Sequence, residues 1–235
     1  MDMLKFTLII CALAGCWQPL SWTSLFKHIS YKIYATFLIT SLNAFLLSQF
    51  MHIVLNVDNS DGFTDALYMM LTVFVAAYKQ IYIWINRKNI IMLINVFKMK
   101  PFAPYEREVM IQEKFEKALQ NNTLRYLIIV IMSIMSIILT SVFTDFTKRK
   151  LTYKAWIPFN YSFPAAYYFV YTHQMIAMST SGIINVACES LIFGLLLHIC
   201  CQFEILEYRL KNITHNEDIL RDCINHHNRI FELVF

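Results

Sequence analysis

Cysteine and histidine have the most intrinsic chemistry of the residues in this chain, and their spacing gives them little to do. Cys11, Cys16, Cys188, Cys200, Cys201 and Cys223 show no zinc-type pairing, and most fall in apolar, helix-like segments. They read as packing residues and not as disulfides. His226 and His227 are adjacent, and adjacent residues on a helix point in different directions, so no metal site is expected from them. Phosphate-cradling glycine loops, Gly-x-Ser-x-Gly turns and His-Glu-x-x-His pairs are missing, and four glycines leave little material for a loop of that kind. Neither an enzyme activity nor a cofactor is expected, and nothing points to nucleic acid as a partner.

Non-covalent binding is the chemistry that remains. Tyr68, Met69 and Thr72, then Ile137, Thr140 and Ser141, then Met175, Met178 and Ser179 fall at similar depth in three long apolar segments. Large apolar groups mixed with a few hydroxyls can wall a pocket for a small apolar molecule, and methionine adapts to several ligand shapes. The same residues serve equally well as lipid-facing or helix-packing surface, and sequence spacing does not separate the two. Lys79 is the charged residue of the second apolar segment. Its two readings, snorkelling to an interface and pairing internally, also stay open.

The elements that must position these residues follow from composition. Of 235 residues, 57% are hydrophobic and 15% charged, and the mean hydropathy is +0.48. Charges occur in blocks between apolar runs of about 20 residues, the length a helix needs to cross a hydrocarbon core. Backbone groups cannot go unpaired in lipid, and the runs lack the alternation of a barrel strand. The expected class is therefore all-α: a polytopic helical membrane protein with four transmembrane helices, at 33–57, 63–85, 126–146 and 165–187. The fourth run is too long for the bilayer, since only Glu189 is charged between Ala165 and Phe203. It is expected to continue as a helix to 205, with Gly182 as a candidate bend. Residues 86–123 and 206–235 carry helix-like periodicity broken at Pro101 and Pro104, and read as cytosolic helices.

Orientation follows from Lys and Arg. Fifteen flank one side of the spans and four, Lys148, Arg149, Lys150 and Lys154, the other. Both ends are therefore expected in the cytosol, with 147–164 as the extracellular loop, although the Lys148–Lys150 cluster argues the other way. Of three glycosylation sequons, at Asn121, Asn160 and Asn212, only Asn160 is then lumenal. Residues 1–32 begin like a signal peptide, and Leu13-Ala14-Gly15-Cys16 even matches a lipoprotein cleavage box. Because membrane spans follow in place of a soluble domain, an uncleaved interfacial segment is favoured, with Trp17 and Trp22 at the headgroup level.

Residues 153–174, YKAWIPFNYSFPAAYYFVYTHQ, join a short aromatic, Pro-bearing loop to the fourth span. Trp156, Pro158 and Phe159, followed by Tyr167, Tyr168, Tyr171, His173 and Gln174, resemble the loop and the start of the fourth helix in insect odorant receptors. The Gly15-to-Pro19 stretch is similar to the Gly-x-Trp-x-Pro of that family, and His198, Gln202, Leu206, Arg209, Leu210, Cys223, His226 and His227 resemble its path out of helix four. The resemblance implies seven helices with inverted topology, of which this chain would be the N-terminal part, truncated after the fourth. It further implies an odorant pocket among the outer helix halves, a lysine contact near Lys79, and a cytosolic anchor where subunits meet. The implied partners are a small hydrophobic odorant, membrane lipid and an obligate olfactory co-receptor in a hetero-tetramer, at the plasma membrane of olfactory sensory neurons. A gustatory-type chemoreceptor and an unrelated small polytopic transporter or membrane scaffold are the alternatives.

Overall fold

A computed structural model of the chain describes residues 3–19, 24–56, 60–212 and 217–234, so Trp22, Asp58 and the Ile213-Thr214 half of the last sequon lie outside the described residues. Six α-helices carry the fold: α1 Lys5–Leu13, α2 Leu25–Asn56, α3 Ser60–Val96, α4 Val109–Ser141, α5 Pro164–Lys211 and α6 Glu217–Val234. No strand occurs among the described residues. Among the described residues, four helical stretches, in α2, α3, α4 and α5, are long and apolar enough to cross a membrane. The class is all-α and multi-pass membrane.

Helix boundaries follow local chemistry. Pro164 opens α5 from an extended Phe163, since proline needs no N–H partner in the first turn. Arg209 and Lys211 in its last turn favour the negative end of the helix dipole. At the end of α1 the chain turns back at Gly15, whose φ of +72° lies in the left-handed region, and Cys16 N donates to Cys11 O at 2.9 Å. A Cβ there would sit 3.2 Å from Leu38 Cδ1, so conformation and space both select glycine.

The region expected to hold separate helices between the second and third spans instead extends those spans. α3 runs on to Val96, the Pro-bearing turn follows, and a single 3₁₀ turn at Glu106–Glu108 leads into α4. α5 is one unbroken helix through Gly182. That glycine serves close approach and not a bend: a Cβ on it would lie 3.1 Å from Ile134 Cδ1 and 3.3 Å from Val130 Cγ1 of α4.

α5 is the hub, packing against α1, α2, α3, α4 and α6. The main core joins Ile10, Cys11 and Trp17 to Leu42, Phe45, Val73, Ala76, Ile184 and Leu191. Trp17, expected at the headgroup level, is 2% exposed. The Arg87 guanidinium lies 5.5 Å over its ring, and its backbone N–H donates to Tyr31 Oη. All six cysteines are free thiols, and Cys11 Sγ points at Ala187 O, 3.6 Å away. A second core, of Phe97, Phe102, Leu206, Cys223 and Ile230, binds α6 to the α3–α4 turn. By contrast, α4 shows Ile128, Ile129, Met132, Met135 and Leu139 on its open surface, as expected of a helix against lipid. The bundle has two ends, one holding the 147–163 loop and the other holding α1, the α3–α4 turn and α6.

Candidate functional site

At the loop end, one face of α5 presents Tyr167, Tyr171 and Gln174, spaced i, i+4, i+7 and all buried. Ser141, the last residue of α4, meets the Tyr171 hydroxyl at 2.7 Å and the Thr152 hydroxyl of the loop. Gln174 clamps the loop backbone: its Nε2 donates to Tyr153 O at 3.0 Å, and its Oε1 accepts from Tyr153 N at 3.4 Å. Tyr167 Oη donates to Lys150 O at 3.0 Å. From α2, Ser48 accepts from Trp156 N at 3.0 Å through its carbonyl and donates to Trp156 O through its hydroxyl. Phe45 sets its ring edge-on to Tyr153 at 6.0 Å and His173 at 6.5 Å, and Phe146 lies 5.2 Å from Tyr171. Burial pushes the Tyr153 phenol above its ordinary range, so it stays a neutral hydroxyl.

Three helices and a loop thus converge on an aromatic site threaded with hydroxyls. It contains no nucleophile paired with a base. Its polar groups are bonded to one another and to loop backbone, so the network fastens the 147–163 loop to α2, α4 and α5.

The nine residues expected to line a pocket separate into groups. Ser141 sits inside the network. Met178 is half-buried and packs on the main core, while Met69, Thr72, Met175 and Ser179 are half-buried. Tyr68, Ile137 and Thr140 lie on the open surface. Thr72 donates to Tyr68 O of its own helix. Sequence reasoning missed Phe45, Ser48, Thr152, Tyr153, Tyr171 and Gln174 as site residues. The helical spacing of 167, 171 and 174 was the available signal, whereas nothing local marks the α2 contributors.

Two further polar clusters tie the helices together. Lys79 pairs internally with α5: its Nζ donates to Asn185 Oδ1 and Glu189 Oε1, each at 2.9 Å, and Tyr126 Oη of α4 donates to Glu189 Oε2 at 2.9 Å. At the opposite end, Arg209 makes a bidentate pair with Glu108 at 2.7 and 2.8 Å and donates to Pro101 O at 3.0 Å, with its guanidinium 4.8 Å over Tyr105. His226 of α6 is 0% exposed, between Arg209 Nη1 at 3.2 Å and Gln202 Oε1 at 3.0 Å. Since arginine only donates, His226 Nδ1 accepts from it and Nε2–H donates to Gln202. Burial, then the Arg209 charge, lowers the His226 pKa to about 4. No group of three or more His, Cys, Asp or Glu among the described residues is placed to hold a metal ion.

The same architecture occurs in the insect olfactory receptor OR5 from Machilis hrabei, with a TM-score of 0.74 at 14% identity over 97% of this chain and 62% of that one. The structure of that receptor in complex with eugenol superposes with a TM-score of 0.70 at 15% identity and the same coverage. At such identity the likeness concerns the fold, and the chain spans less than two thirds of the receptor's length. No curated protein sequence matches the chain. The family model for the 7tm odorant receptor does match, over residues 59–234, from the start of α3 to the end of α6, and the chain belongs to that odorant receptor family.

Proposed function

We propose that this chain is the odorant-binding part of an insect odorant receptor, and that a volatile, mostly apolar odorant binds at the loop end among α2, α3, α4 and α5. Family membership over residues 59–234 is the observation that carries this reading. Support comes from the Machilis receptor of the same fold, whose structure is described in complex with eugenol, and from the aromatic, hydroxyl-bearing network around Ser141 and Tyr171. The half-buried Met69, Thr72, Met175, Met178 and Ser179 are retained as candidate odorant contacts, while Tyr68, Ile137 and Thr140 lie on the open surface.

In this reading the loop end is extracellular and both ends of the chain are cytosolic. Membrane spans occupy 33–57, 63–85, 126–146 and 165–187, and Asn160, exposed in its loop, is the accessible sequon. The Asn121 sequon, inside α4, is on the cytosolic side in this reading and so is not a glycosylation site. Assembled with an olfactory co-receptor at the plasma membrane of sensory neurons, the receptor contributes to a cation channel that opens because the odorant binds the open state more tightly.

The test uses the chain in lipid nanodiscs with eugenol as the probe ligand. Saturable binding that Ser141→Ala and Tyr171→Phe each weaken by about 3- to 10-fold, the loss of one hydrogen bond, is the expected result. Absence of saturable binding of eugenol or any of a panel of apolar volatiles overturns the reading. Odorant-dependent current on co-expression with the co-receptor tests the channel step separately.

A further inference from the structure

At the end opposite the proposed odorant site, the edge of the bundle formed by α2 and α3 carries bases and no acids. Residues 3–57 and 66–105 contain no Asp or Glu, yet Lys27, Lys32, Arg87 and Lys88 fall within them. The approach to α4 and its first turns, at the same end, mix Glu106, Glu108 and Glu113 with Arg107, Lys114 and Lys117. A general cytosolic excess of Lys and Arg therefore does not account for the missing acids.

Helix geometry brings two of these bases to one seam. Lys79 of α3 pairs with Asn185 and Glu189 of α5. Lys88 comes nine residues later, about 180° around the helix at about 100° per residue, and so lies on the side of α3 away from α5. On α2, Lys32 is one turn from His28 on the same face. Gln18 joins that face to α3: its Nε2 donates to His28 Nδ1, and its carbonyl accepts from Arg87 Nη2 at 2.9 Å. Lys32 and Lys88 are exposed and make no ion pair among the described residues. Beside them run exposed apolar side chains, Phe26, Ile29, Ile33 and Phe37 in one stripe of α2 and Trp84 and Ile85 a turn from Lys88. The stripe continues into the span, so it is lipid-facing surface, and long basic side chains at its edge hold their charge at the head-group level.

We propose that the α2–α3 seam is a binding site for an anionic phospholipid of the cytosolic leaflet, its tails along the α2 stripe and Trp84 and its head group on Lys32 and Lys88. Charge selects the head group, because two unpaired bases with no acid on either helix nearby favour a net negative partner. The continuous apolar stripe selects a lipid over a soluble anion. The proposal rests on the cytosolic assignment of this end for its leaflet, and not on odorant binding.

Photoreactive phosphatidylserine and phosphatidylcholine with identical tails test it on the full chain in phosphatidylcholine nanodiscs, with labelled peptides mapped by mass spectrometry. The expected result is saturable labelling of 24–37 and 81–98 by the serine lipid, about tenfold or more over the choline lipid. Unlabelled phosphatidylserine competes it away, and high salt weakens it. Lys32→Gln and Lys88→Gln each lower the preference about fivefold, near 1 kcal/mol for each base, and leave labelling by the choline lipid unchanged. Equal labelling of wild type by the two lipids overturns the proposal, as does a preference that both variants retain. An equal preference at the Lys148–Lys150 cluster of the loop also overturns it, since any exposed cations then suffice. Displacement of the serine lipid by a soluble poly-glutamate peptide but not by phosphatidylserine assigns the seam to an acidic protein segment and overturns the lipid. The wild-type comparison of the two lipids decides the matter even if a variant fails to fold.

Discussion

Arg209 and Glu108 offer the sharpest test of the packing described here. Their side chains are 9% and 4% exposed, and the guanidinium grips both carboxylate oxygens. Removing one partner leaves a buried, uncompensated charge and costs about 3–5 kcal/mol, whereas replacing both by apolar residues is often near neutral. Arg209→Met therefore strands Glu108, while also releasing Pro101 O and the His226 Nδ1 contact. Glu108→Leu strands Arg209 and frees Tyr105 N, which donates to Glu108 Oε2 at 2.9 Å. Each single variant should lower the thermal midpoint in detergent by on the order of 10 °C, using the size scaling of soluble domains. Arg209→Met with Glu108→Leu should recover most of that loss, giving a coupling of about 2 kcal/mol or more. The damage should concentrate in α6 and the α3–α4 turn, read as faster amide exchange there than in α2. Single-variant losses under about 1 kcal/mol, or strictly additive losses, refute the claim that this pair clamps α6 to the turn.

His226 makes stability depend on pH. Its pKa is lowered to about 4 when folded, against an ordinary value near ~6.5. Between those values the unfolded chain binds the extra proton, so stability is full above about pH 6.5 and falls toward pH 4, by at most about 3 kcal/mol; in His226→Gln that part of the slope should vanish from a melt-versus-pH series. Lys79→Met leaves the half-exposed Glu189 without its cation but with its Tyr126 bond, and should cost about 0.2–1 kcal/mol. Adding Glu189→Met should restore most of the loss, and a Lys79→Met melt identical to wild type would exclude a structural role for the pair. Gly15→Ala should cost about 1–2 kcal/mol from a left-handed conformation alone; an unchanged midpoint would mean the turn re-forms with a different φ.

Much of this protein is legible in its sequence because the relevant physics is local. A run of apolar residues about 20 long must be a helix in lipid, since an unpaired backbone group has no partner there, and that reasoning reaches the all-α class and four apolar spans. Pro101 and Pro104 mark a break, and Pro164 a start, because proline lacks the N–H a helix interior needs. The aromatic block at 153–174 and the polar residues around Arg209 carried the family resemblance before any packing was known.

Only the tertiary structure decided which way the side chains face. Depth along a helix follows from a rise of about 1.5 Å per residue, but azimuth changes by about 100° with each residue, and α5 is apolar on nearly all sides, so no stripe points inward. Thr140 and Ser141 show the consequence: one step of sequence separates an exposed hydroxyl from one bonded to Tyr171. Lys79 was ambiguous because its partners, Asn185 and Glu189, stand more than 100 positions away. Phe45 and Ser48 join the site, and Trp17 leaves the interface for the core, through contacts made by the folded chain as a whole. The sequence determines the helices and their depth, while the packing of α1, α2, α3, α4 and α6 around α5 determines which faces meet.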